Sequence, residues 1–110
     1  MDIESLRNYC LQKESTEECL PFGPDNLVFK VNNRMYALLS LTDDPIRINL
    51  KCDPDKALEL RENYDCILPG YHMNKKHWNT VILEEYLRPS EIKAWIDDSY
   101  DLVKGKGKRK

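Results

Sequence analysis

The residues best equipped for chemistry are concentrated in Leu68 to Val81, "LPGYHMNKKHWNTV", which holds both histidines of the chain, two adjacent lysines and two aromatics within fourteen residues. His72 and His77 have the intrinsic acidity for proton exchange near neutral pH, and Cys66 or Ser40 would be the accompanying nucleophile. No motif ties these groups together: the sequence has no nucleophile elbow, no phosphate-cradling Gly-rich loop and no carboxylates paired at a helical spacing. Cys66, His72 and His77 lack the paired close ligands of zinc fingers. A non-enzymatic protein without metal or cofactor is therefore expected. The segment also suits nucleic acid. Lys75 and Lys76 can neutralise phosphates, Tyr71 and Trp78 can stack on bases at about 1–3 kcal/mol each, and His72, Asn74 and His77 can supply directional hydrogen bonds. Against this stands a structural reading, which on the residues alone is the stronger. Leu68-Pro69-Gly70 forms a turn, Tyr71 and Trp78 anchor to the core, and Lys75-Lys76 is a solvated loop. A third reading is a protein-interaction module using an exposed sheet edge or a helix-covered sheet, although no partner is legible.

A chain of 110 residues with 41% hydrophobic and 33% charged residues fits one soluble domain. We expect that domain over residues 1–103, followed by a flexible basic tail, 104–110, "KGKGKRK", which carries five positive charges. Residues 1–103 then hold 12 basic and 19 acidic side chains, a net charge of −7. An acidic body argues against strong nucleic-acid binding by the folded part, because phosphate attraction supplies the sequence-independent affinity. No apolar run approaches the roughly 20 residues of a spanning helix, and "MDIESLRNYC" has neither a basic start nor an apolar signal core. A cytoplasmic protein, with no membrane association and monomeric, is expected. Cys10, Cys19, Cys52 and Cys66 form no CxxC pair and read as reduced thiols, some of them buried packing residues.

The elements that must position the segment follow from periodicity. Asp2 caps a helix to about Lys13 with Ile3, Leu6 and Cys10 on one face. Glu17 to Phe22 reads as a short strand before the "FGPDN" loop. Leu27 to Val31 and Arg34 to Leu41 form a hairpin across Asn32-Asn33, with Met35, Ala37, Leu39 and Leu41 pointing one way. In Ile46 to Lys51, apolar residues alternate with Arg47, Asn49 and Lys51, leaving one sheet face wet and partly basic. "CDPDKALELRENYD" is a helix capped by Asp53 with Pro54 at its first position. Trp78 to Leu83 is a strand. Pro89 to Val103 is a helix whose stripe of Ile92, Trp95, Ile96, Tyr100 and Val103 is core, with Ser90 or Arg88 near its start. The expected order is α-β-β-β-β-α-β-α, an α+β fold with helices over one face of an antiparallel sheet.

Taken together, "PFGPDNLVFKV", "MYALLSL", "LPGYHMNKKHWNTV" and "LRPSEIKAWIDDSYDLV" resemble the MmcQ/YjbR family of small bacterial proteins from about Ile3 to Val103. The family's hallmark stands here as Pro69-Gly70-Tyr71-His72 followed by Asn74-Lys75-Lys76-His77-Trp78. The resemblance implies an α+β fold similar to secretion-chaperone-like and double-wing proteins, and a description as DNA-binding. It makes Tyr71, His72, Asn74, Lys75, Lys76, His77 and Trp78 candidates for a shared surface. On this reading Lys75 and Lys76, joined by Arg34, Arg47 and Lys51, contact phosphates of DNA. The alternative is a protein-binding adaptor with a chaperone-like sheet.

Overall fold

The structure is a computed structural model that describes residues 1–70 and 73–105. Tyr71 and His72, and 106–110 of the expected tail, lie outside the described residues. The order is α1 (Ile3–Leu11), β1 (Glu17–Cys19), β2 (Asn26–Val31), β3 (Arg34–Ser40), β4 (Arg47–Lys51), α2 (Pro54–Asn63), β5 (Ile67–Pro69), β6 (Trp78–Ile82) and α3 (Pro89–Lys104). One strand more than expected is present, because Leu68-Pro69 forms β5 rather than a turn. A three-residue strand containing proline has no readable periodicity, and its identity comes from pairing with β6. Proline is tolerated there because β5 is an edge strand. At the opposite edge β1 stops at Cys19, short of the expected Phe22, since Pro21 has no N–H for a ladder bond. Lys104 is the last residue of α3 and Gly105 its cap, so the expected tail loses its first two residues to the helix end.

All strand pairs are antiparallel, in the order β1-β2-β3-β4-β6-β5. Cross-strand partners point to the same face, so the register separates two sides. Leu27, Leu39, Ile48, Val81 and Ile67 form one row across the sheet. This row belongs to the core, together with Leu6 and Cys10 of α1, Ala57 and Leu60 of α2, and the α3 stripe. All three helices therefore cover the same face. Cys19, Val28, Leu38, Asn49, Thr80 and Leu68 form the row on the other side.

The hairpin turn adopts the left-handed backbone expected of it, with φ of 53° at Asn32 and 64° at Asn33. The register then slips between Phe29 and Lys30, which pair with Ala37 and Met35, so Tyr36 is the additional residue of a bulge. The slip reverses the alternation. Tyr36 buries its ring against Tyr100, edge to face at 5.2 Å, and its hydroxyl donates to the Cys10 carbonyl at 3.2 Å. Met35, expected to point with Ala37, instead joins Lys30 on the helix-free side. The β3–β4 ladder covers Ala37 to Leu39, and next to it Ser99 of α3 closes the gap. Its buried hydroxyl accepts from the Lys51 N–H at 2.9 Å and donates to the Tyr36 carbonyl at 2.6 Å.

Helix starts obey the expected chemistry. Asp2 accepts from the Ser5 N–H at 2.8 Å and Asp53 from the Lys56 N–H at 3.5 Å. At α3, Arg88 is the N-cap, Pro89 is in the first turn, and the Glu91 carboxylate accepts from the Arg88 N–H at 2.9 Å and the Tyr64 hydroxyl at 2.7 Å. The Arg88 backbone bond, then the Tyr64 bond, hold the Glu91 carboxyl below its ordinary pKa. A lowered folded-state pKa gives stability that is present above the ordinary glutamate range and is lost as pH falls through the folded value. A Glu91→Gln variant should therefore be less stable than the parent in urea at neutral pH, and the two should converge below the ordinary carboxylate range. A gap that persists unchanged in acid would exclude the charge as its source. No described helix is long and apolar enough to cross a membrane.

Candidate nucleic-acid interface

The singled-out segment is the connection between β5 and β6. Gly70 opens it, with its N–H donating to the Trp78 carbonyl at 2.8 Å. A Cβ on Gly70 would lie 2.8 Å from the Trp78 Cβ and 3.0 Å from its carbonyl oxygen, so the close strand approach excludes a side chain. Gly70→Ala should destabilise by about 1–3 kcal/mol through overpacking, read as a lower urea midpoint. An unchanged midpoint would show that the hairpin opens without strain.

Asn74 organises the loop. Its side-chain Oδ1 accepts from the Lys76 N–H at 2.9 Å, and its carbonyl accepts from the N–H groups of His77 at 3.2 Å and Trp78 at 2.9 Å. Asn74 was expected to address a ligand, but its oxygen is committed to the turn, the usual role of an Asx side chain. The His77 carbonyl ties the loop to β4 by accepting from the Cys52 N–H at 2.7 Å. Lys75 and Lys76 are exposed. The Lys75 ammonium donates to the Gly70 carbonyl at 3.2 Å, which leaves two of its three donors for solvent or ligand. His77 and Trp78 are half-buried, and the Trp78 backbone braces both ends of the loop by accepting from the Gly70 N–H and donating to the Asn74 carbonyl. The expected roles of Tyr71 and His72 fall outside the described residues.

Of the three strand residues expected to join the loop lysines, one adjoins them directly. Lys51 pairs with Trp78, on the helix-free side and at the loop end of the sheet. Arg47 shares that side but pairs with Ile82, four residues or about 13 Å along β4. Arg34 does not share it, because it pairs with Val31, a core residue on the helix side. Lys30, which the sequence reading missed, stands on the helix-free side opposite Met35. The alternation of Leu27, Phe29 and Val31 with Asn26, Val28 and Lys30 carried that signal.

Every residue of this side on β2 to β6 is uncharged or basic; Glu17 on the edge strand, across from Lys30, is acidic. The side is less wet than alternation implies. Val28, Asn49 and Thr80 are buried in its central row, and the Thr80 hydroxyl donates to the Asn49 side-chain oxygen. Polar atoms expected to face water thus satisfy one another, and the accessible basic charge lies at Lys30 of β2, at the two ends of β4 and on the loop. Cys66, a nucleophile candidate, is buried, and burial pushes the thiols of Cys10 to about 12 and Cys52 to about 11.

The fold recurs in other proteins. The YjbR family model matches residues 11–102. The uncharacterized protein YbdF of Escherichia coli O157:H7 is 40% identical over 100 residues, which cover 91% of this chain and 82% of that protein. The uncharacterized protein YjbR of Escherichia coli K12 is 31% identical, over 91% of this chain and 85% of that protein. The crystal structure of Deinococcus radiodurans protein DR2400, a DUF419 domain, superposes with a TM-score of 0.91 at 42% identity, over 98% of this chain and 82% of that one. A Pseudomonas syringae protein superposes with a TM-score of 0.82 at 34% identity, over 94% of this chain and all of that one. With a family model spanning most of its length and relatives of this similarity, the chain belongs to the YjbR family.

Proposed function

We propose that this protein binds nucleic acid weakly and without sequence preference, and performs no catalysis. The contact surface is the loop between β5 and β6 together with the helix-free side of the sheet. The observation that carries the reading is the distribution of charge. Residues 1–103 bear a net −7, yet Lys30, Arg47, Lys51, Lys75 and Lys76 occupy this side and its loop, with Glu17 as the acidic exception on the strands. Such a patch attracts phosphates at short range while the acidic remainder weakens long-range attraction, which favours modest, salt-sensitive affinity. The test is a fluorescence titration of labelled duplex and single-stranded DNA at low and moderate salt. Saturable binding at low salt that fades as salt rises is expected. Absence of binding at low salt overturns the proposal. A full-length variant with Lys106, Lys108, Arg109 and Lys110 changed to serine must retain binding if the domain carries the site.

A second reading, a protein-binding adaptor, is favoured by the β1 edge, where Leu20 is 50% and Phe22 63% exposed. Exposed apolar side chains beside an unpaired strand suit an added strand. Recovery of one specific protein after nuclease treatment, lost in Phe22→Ser, would support it over the nucleic-acid reading.

A further inference from the structure

Among the described residues, Asn79 alone has a buried side-chain polar atom without a hydrogen-bond partner, its Oδ1. Asn79 stands on β6, paired with Leu50 of β4 and Pro69 of β5, and is 2% exposed. Its amide nitrogen donates to the Ala57 carbonyl of α2 at 3.3 Å. That carbonyl can only accept, so the nitrogen must face it and the oxygen is turned the other way. A buried oxygen without a donor is unfavourable, and folded proteins meet such a need with a protein group or an ordered water.

Asn79 lines a recess of about 20 Å³ whose walls include Leu50, Cys52, Leu60, Trp95 and Asp98. A space of this size suits one water and no organic group. The Lys51 N–H at its wall is already committed to the Ser99 hydroxyl at 2.9 Å. Two acceptors and one donor remain among the side chains just named. The acceptors are Asn79 Oδ1 and the Asp98 carboxylate, which has no ion pair among the described residues. The donor is the Cys52 thiol, kept protonated because burial pushes its pKa up to about 11. Water offers two hydrogens and a lone pair, which matches that set. A metal ion does not match it, since a protonated thiol repels it and no group of three metal-ligating side chains occurs among the described residues.

We infer that one buried water occupies this recess, donating to Asn79 Oδ1 and to the Asp98 carboxylate and accepting from the Cys52 thiol, so that it joins β6 to α3. The water exchanges with solvent past Cys52 and Asp98, which also wall an open groove of about 550 Å³ between α2 and α3. A buried water with two to four polar partners is part of the structure and costly to remove. The inference is independent of the nucleic-acid reading.

The test is water–protein NOE and ROE spectroscopy on the full chain, in which a water held far longer than surface hydration gives cross peaks of opposite sign in the two spectra. Opposite-sign peaks are expected at the Leu60 methyls and the Asn79 side-chain amide. Their absence from the parent protein overturns the inference without recourse to any variant. Asn79→Leu removes the first acceptor and fills the recess, so the Leu60 peaks should vanish. Asp98→Ala, at an exposed position, removes the second acceptor and opens the recess, so the sign difference at Leu60 should be lost while the fold is kept. A pattern unchanged by Asp98→Ala overturns the bridge to α3. Asn79 and Asp98 resonances that respond saturably to sodium, and not to choline at equal ionic strength, would assign the recess to a cation and overturn the inference as well.

Discussion

Replacing Ser99 with alanine should lower the unfolding free energy by about 1–3 kcal/mol, because a buried and a part-buried backbone group lose their partner at once. The Ser99 hydroxyl accepts from the Lys51 N–H and donates to the Tyr36 carbonyl, joining β3 to β4 beside the bulge. Ser99 itself is fully buried. Urea denaturation with an unchanged slope would measure the loss. A drop below about 0.5 kcal/mol would mean that the strands close the gap themselves, and the bridge would then be incidental. The consequence reaches the candidate interface, since Lys51 is the residue bridged and the cross-strand partner of Trp78. Looser pairing there should broaden the Trp78 indole resonance even where the protein stays folded.

Changing Lys75 and Lys76 together to alanine should weaken DNA binding by about a hundredfold at about 50 mM salt, if each lysine neutralises one phosphate. Counterion release assigns about 0.7–0.9 to the log–log salt slope per contact, so the slope should fall by about 1.4–1.8. Both side chains are exposed, and the Asx turn that shapes the loop uses backbone atoms and Asn74, so the variant should keep the parent's stability. Lys75→Ala alone also removes the bond to the Gly70 carbonyl, which makes Lys76→Ala the cleaner single change. An unaltered salt slope in the double variant would remove the loop from the interface and leave Lys30, Arg47 and Lys51 to account for any binding.

Helix caps were legible because they are local. Asp2, Asp53 and Pro54 act within three or four residues of themselves, as did the Asn32-Asn33 turn. The helix-face residues Ile92, Trp95, Ile96, Tyr100 and Val103 are buried as their spacing required. What escaped depended on partners distant in sequence. β5 exists through its pairing with β6, and Met35 changed sides because a bulge at Tyr36 added one residue to a period-two pattern. Asn49 read as a wet position, yet it is buried with Thr80, 31 residues away. The candidate site divided along the same line: the loop was visible as a cluster, whereas the exclusion of Arg34 and the inclusion of Lys30 required the register.

The sequence by itself determined the fold class, the capped helices, the central hairpin and the clustering of polar and aromatic residues in the segment before β6, because hydrophobic periodicity and turn chemistry act over a few residues. The tertiary structure alone decided which charges share a surface, that the Asn74 oxygen serves the turn, and that Ser99 mends the sheet. The shared surface depends on strand register, since one added residue in a strand exchanges its two faces. The Ser99 bridge depends on a helix packed 48 and 63 residues away from the groups it joins. The Asn74 bond is local, but the residue type suits a turn and a ligand equally, and only the fold shows which it serves.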